Sequence, residues 1–170
     1  ERWPDLETIF GANGGTDGCW CMWFRQTSAQ YGAERGAANR SAFAAIVASG
    51  KVPGLLAFVN GEPAAWCAVQ PRSEYPRLNR SRVTKSLDGA ESWAVVCFVT
   101  RHEFRSGGLT DLLLAAAVAY AAEHGATLVE GFPVDPPGKV AADVGYHGFA
   151  STFRRAGFEE VARRNPTRPY

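Results

Sequence analysis

The residues best suited to chemistry in this chain lie between Trp93 and Gly125. An apolar run, Trp93-Ala94-Val95-Val96-Cys97-Phe98-Val99, leads to Arg105-Ser106-Gly107-Gly108-Leu109-Thr110, and an apolar segment with helical spacing follows. A strand, a glycine turn and a helix start together form an anion site. Backbone amides point outward at such a turn, and the helix dipole adds partial positive charge. Arg105 adds a full charge and a planar fork suited to phosphate. The expected ligand is a phosphorylated molecule held beside a strand end.

The elements that position this turn follow from the pattern. Leu109, Leu112, Leu113, Ala116, Ala117 and Tyr120 recur at helical spacing, and Gly125 supplies the stop. Upstream, Leu55–Val59 and Pro63–Val69 flank Asn60-Gly61, the signal of a tight hairpin. Residues 70–91 read as a long, basic, proline-containing excursion carrying Arg72, Arg77, Arg80, Arg82 and Lys85. Residues 127–132 read as a strand, residues 148–156 as a helix, and a last strand is expected from Phe158. Near the start, Trp3–Phe10 reads as a helix ended by Gly11, and residues 19–24 as a short strand or a buried turn. Asn39 and Ser41 are candidate caps for a helix over Ala42–Ala48. A hairpin followed by β-α-β-α-β order predicts an α/β fold with a mixed sheet and helices on both faces.

With 170 residues the chain suits a single domain spanning 1–170. A net charge of +1 gives no reason to expect nucleic acid or a membrane surface. No apolar run approaches the ~20 residues a bilayer span needs. No signal-peptide pattern is visible at Glu1, and the missing Met reads as a trimmed or partly disordered start. Cys67 and Cys97 sit in apolar runs, and Cys19-Trp20-Cys21 has no second pair or histidine cluster beside it, so no metal site is expected. Free thiols suit a reducing, cytoplasmic setting.

The pattern Arg105-x-x-Gly108-x-Thr110 after a buried strand resembles the acyl-coenzyme A loop of the GNAT (GCN5-related) N-acetyltransferase superfamily. Thr110 departs from the small residue usual at the last position. Phe149-Ala150-Ser151-Thr152-Phe153-Arg154-Arg155-Ala156-Gly157-Phe158 resembles the superfamily's late helix with its closing Gly-Phe. The resemblance is clearest over residues 54–165. It implies one GNAT-like domain with a mostly antiparallel central sheet. The implied activity is acyl-coenzyme A-dependent N-acyltransfer, with acetyl-CoA as co-substrate, by direct attack of the amine in a ternary complex. Phe98, Val99 and Thr100 would pair with the pantetheine arm, and Arg105, Ser106, Gly107, Gly108, Leu109 and Thr110 would bind the pyrophosphate.

The resemblance also frames the proton transfers. Many relatives carry a Tyr acid at the position of Phe153, which has no proton to give; Tyr146 and His147 are the nearest candidates by sequence. For the base, Glu130 interrupts an apolar strand near the expected parting of the central strands, and Glu91 is the second choice. The acceptor is expected to be a small-molecule or peptide amine, bound near Trp20, Trp23, Phe24, Tyr31 and Trp66, residues that equally suit a core. The final strand and the basic tail, Arg163, Arg164 and Arg168, suit pairing in a homodimer. A non-catalytic acyl-CoA-binding or sensing domain is the alternative that the missing Tyr keeps open.

Overall fold

The computed structural model describes residues 2–138 and 142–170. Three helices come first: α1 (Trp3–Phe10), α2 (Ser28–Glu34) and α3 (Ala37–Ala48). Pro4 sits in the first turn of α1, and Gly11 leaves it at φ +61°, where a side chain would be strained. Thr27 caps α2 by accepting from the Gln30 amide. Strands β1 (Gly54–Val59) and β2 (Glu62–Pro71) form the hairpin, with Asn60 at φ +50° and Gly61 at φ +83° as the tight turn requires.

The short α4 (Pro76–Arg80) precedes β3 (Trp93–Thr100), α5 (Leu109–Glu123), β4 (Val129–Gly131) and α6 (Ala150–Arg155). A two-stranded ribbon, β5 (Arg163–Asn165) and β6 (Arg168–Pro169), closes the chain. The main sheet has the order β1-β2-β3-β4. Its first three strands are antiparallel, and β3 and β4 are parallel. Alternation along β2 divides the core: Trp66 and Ala68 face the N-terminal helices, whereas Cys67 and Val69 face α5. Leu6, Phe10, Trp20 and Phe43 complete the first layer, and Leu113, Leu114 and Phe153 the second. Each fully buried side chain of this size contributes roughly 1.5–3 kcal/mol, so the two layers clamp β3 between them.

Of the two forms open to residues 19–24, the chain takes the buried turn, with Trp20 and Cys21 at φ +46° and +54°, because Trp20 folds back to stack on Phe10 at 5.6 Å. Three expectations need correction. The helix near Asn39 starts earlier, at Ala37 after Gly36, and Asn39 is a buried helical residue donating to the Gly18 carbonyl. The strand at 127–132 shrinks to three residues, because Val134 turns aside to bond Gly148 and Ala150. No strand starts at Phe158. That side chain packs on Phe153, and backbone pairing resumes with Val161 and Ala162 against Tyr170 and continues into β5 and β6. The excursion at 70–91 is anchored by buried Arg72, Tyr75, Leu78 and Thr84.

Candidate functional site

Strand β3 carries one residue too many for its partner. Cys97 pairs with Ala68 and Val95 with Val69, so Val96 is the extra residue of a β-bulge. The bulge coincides with the parting of β3 from β4, whose parallel pairing ends at Val95 and Gly131. Beyond it, the Arg101 amide bonds Ala64 of β2, and strand alternation therefore turns the backbone groups of Phe98 and Thr100 away from β2. Among the described residues, no backbone group pairs with this edge of β3 where β4 has left, and the Thr100 carbonyl meets only the Arg105 side chain. Phe98 packs under the sheet against Phe153, and Val99 faces the N-terminal side.

The open edge leads directly to the glycine turn. Arg105 to Gly108 are exposed, Ser106 takes φ +65°, and Gly108 caps α5 at φ +75°. Among the described residues, none accepts a hydrogen bond from the amides of Ser106, Gly107, Gly108, Leu109 or Thr110. These free donors lie at the positive end of the α5 dipole. Arg105 reaches back to the Thr100 carbonyl through Nε at 3.3 Å, leaving the rest of its fork exposed. The nearby Asp111 carboxylate is neutralised by Arg155 at 2.6 Å. The loop fits an anionic pyrophosphate, and Thr110 places a hydroxyl in the same first turn.

On the N-terminal side of the same strand lies a cavity of about 270 Å³. Cys97 and Val99 of β3 line it together with Cys21, Tyr146 and His147, and Gly15, Asp17, Trp23, Tyr31 and Arg35 are among its other lining residues. Tyr146 donates through its hydroxyl to the Gly15 carbonyl at 2.7 Å, tying the 142–147 turn to the glycine-rich loop. His147 Nδ1 lies 3.1 Å from the Val96 carbonyl at the bulge. A carbonyl only accepts, so Nδ1 carries the proton and Nε2 keeps its lone pair. Burial, then the charge of Arg168, pushes the His147 imidazole down to about 4, against the opposing bond to Val96. It is a neutral ring at physiological pH.

Glu130 is not in this cavity. It stands opposite Ala94 on β4, buried, with its carboxylate closed by the Arg72 guanidinium. It borders a larger groove of about 600 Å³ between β4, α5, α6 and the C-terminal segment. That groove lies away from the free edge of β3 and the glycine turn, so the smaller cavity is the one joined to the chemistry. The structure therefore brings Tyr146 to the β3 bulge and leaves Glu130 in a separate ion pair. Phe153 is buried core, its ring so close over Gly131 that a Cβ there would meet it at 2.1 Å. Trp20 and Trp66 are core as well, whereas Trp23 remains 40 % exposed at the cavity rim.

Several groups at this site escape a linear reading. The Val96 bulge leaves no mark in an unbroken apolar run. Cys21 and Cys97 are distant in sequence yet meet on one cavity wall, where the neighbouring Cys97 thiol holds Cys21 down to about 7 against burial. Arg72 had one signal: a cation at a strand end and a lone carboxylate in an apolar strand each need a partner. Among the described residues no cluster of His, Cys, Asp and Glu could hold a metal ion, and no helix is long and apolar enough to cross a membrane.

This architecture is that of the GCN5-related N-acetyltransferases: the chain has their fold. A GCN5-related N-acetyltransferase from Ralstonia eutropha JMP134 superposes with TM-score 0.53 at 16% identity, covering 96% of this chain and 92% of its own. A histone acetyltransferase HPA2 and related acetyltransferase from Corynebacterium glutamicum ATCC 13032 gives 0.52 at 16%, covering 99% and 87%. The aminoglycoside N-acetyltransferase AAC(6')-Iy in complex with CoA gives 0.51 at 14%, covering 81% and 79%. No protein-family model and no curated protein matches the sequence.

Proposed function

We propose that this protein is an acyl-coenzyme A-dependent N-acyltransferase, using acetyl-CoA to acetylate an amine by direct attack in a ternary complex. One observation carries the reading: the open edge of β3 past the Val96 bulge ends in a turn of free amides beside Arg105. A pantetheine arm needs such an edge, and a pyrophosphate needs such a turn. Acetyl-CoA supplies an activated acyl group as a thioester. The chain's own part is to fix the donor along Phe98, Val99 and Thr100 and to hold its phosphates at residues 105–110. An outward amide of β3 stabilises negative charge growing on the acyl oxygen, an effect of about 3 kcal/mol per well-placed donor.

The amine approaches from the cavity beside Cys97 and Val99. Tyr146 lines the cavity with Cys97 and is assigned as the acid for the departing thiolate, its O–H turning from the Gly15 carbonyl to donate. Nε2 of His147 stays available to accept a hydrogen bond from the amine or a water. The pairing of Glu130 with Arg72 supports a structural part for that carboxylate. A second reading, a domain that binds acyl-coenzyme A without turning it over, is favoured by the burial of Phe153 where a hydroxyl would serve. Release of free coenzyme A thiol from acetyl-CoA in the presence of an amine panel separates the two: amine-dependent release establishes the enzyme, and none with tight binding establishes the sensor.

A further inference from the structure

The cavity beside β3 has walls of a particular chemistry. Phe10, Trp23, Phe24, Tyr31 and Tyr146 surround it with ring edges and faces. Trp3, Trp20 and Trp66 are spent in the core cluster, but Trp23 is not; it stands at the rim, exposed and immobilised. Tyr31 meets it edge to face at 4.9 Å, and Arg77 lies 3.8 Å from its ring centroid. Arg77 is itself held, donating from Nε to the Gln26 carbonyl at 3.0 Å. Trp23 is thus an exposed indole fixed from two sides at the cavity mouth, able to offer a flat contact to a ligand ring.

The polar groups tell the rest. Among the described residues, Asp17 is the one carboxylate lining this cavity, and Arg35 pairs with it at 2.5 Å while lying over Tyr31. The Tyr146 hydroxyl is committed to Gly15. The cavity is thus neutral in sum, with no free carboxylate for a second or third ammonium group. Extra charges on an acceptor would lose water without gaining a partner. About 270 Å³ is also at or below the low end of small-molecule sites, which run from roughly 300 to 1,000 Å³. A multi-ring polyamine does not fit such a space; a flat ring with one amine does.

We propose that the acceptor is an aromatic monoamine, its ring seated against Trp23 and Tyr31 and its amine directed to Cys97 and Val99 of β3. As a statement about an acceptor it rests on the acyltransferase reading, but ligand binding tests it separately. Phenethylamine and neamine, a polyamine sugar, are each titrated calorimetrically into the full chain with and without coenzyme A. The expected result is saturable phenethylamine binding at least about tenfold tighter than neamine. Trp23→Ala should weaken it by about tenfold, and Trp23→Phe should recover most of the loss, with acetyl-CoA affinity unchanged in both. Neamine binding as tight as phenethylamine, or affinity indifferent to Trp23→Ala, overturns the proposal. Phenethylamine binding with no coenzyme A binding would defeat the acyltransferase reading and leave the aromatic-monoamine site standing; the reverse would defeat this proposal alone.

Discussion

Arg72 and Glu130 form an ion pair buried on both sides, joining the start of the 70–91 excursion to the edge strand β4. Arg72 uses its remaining donors on the Thr84 carbonyl at 2.5 Å and the Asn79 side chain at 3.1 Å, so the guanidinium has protein partners on every side. The pair fixes the excursion across β4 and places Tyr170 beside the carboxylate. Burial, then Glu130, pushes the Tyr170 phenol up to about 12. Removing one member leaves the other charged and buried.

Glu130→Ala should therefore destabilise the protein by about 3–5 kcal/mol. For a chain of this size that is a fall in Tm on the order of 10 °C. Thermal denaturation checks it. A catalytic base would behave otherwise: Glu130→Gln would keep the Tm and lose turnover most at low pH.

The Arg105 side chain is exposed and, among the described residues, makes one weak internal bond, to the Thr100 carbonyl. Arg105→Ala should leave the Tm unchanged and weaken acetyl-CoA binding by about tenfold, the loss of one charge-assisted phosphate contact discounted for solvent. Titration of both proteins under one buffer condition reads the difference. Equal affinity would move the phosphate site elsewhere.

His147 makes stability depend on pH. Its folded-state value, about 4, lies below the ordinary 6.5, so between these values the unfolded chain binds a proton that the folded chain does not. Stability is full above about pH 6.5 and falls as pH drops toward 4, by roughly 2–3 kcal/mol from this group. His147→Gln should flatten that part of the denaturation profile. An unchanged slope between pH 6.5 and 4.5 would show that the imidazole is free to charge.

Cys21 is buried, so its lowered value should show in the pH dependence of a slow alkylation rather than in its speed. The Cys97 thiol is the main cause of its lowered value, opposed by burial and aided by Arg25 and the Trp66 indole. Alkylation by iodoacetamide should rise through pH 7 rather than through the usual ~8.5. Cys97→Ala should move that midpoint upward. Peptide mapping of the alkylated protein identifies which cysteine reacts.

What the sequence revealed, and what it hid, divides by range. The Asn60-Gly61 hairpin, β3 with its glycine turn, and α5 up to its stop were legible because each is set by local periodicity or by residues that require particular backbone angles. The fold followed from their order. The bulge at Val96 was hidden because an extra residue in a strand is defined only by its partner, Ala68-Val69. Trp20 and Trp23 look alike in sequence; only tertiary packing separates the stacked core residue from the exposed rim residue. Glu130 drew attention as a lone carboxylate in an apolar strand. Its cation, Arg72, lay among several basic residues of the 70–91 excursion, and only the folded chain picks it out as the partner.

The most direct test of the donor site is calorimetric titration of acetyl-CoA into the purified protein. Saturable one-site binding that competes with free coenzyme A and weakens in Arg105→Ala is the predicted result. No binding of either molecule would contradict it, and the open edge of β3 would then be a feature of the fold without a donor to fill it.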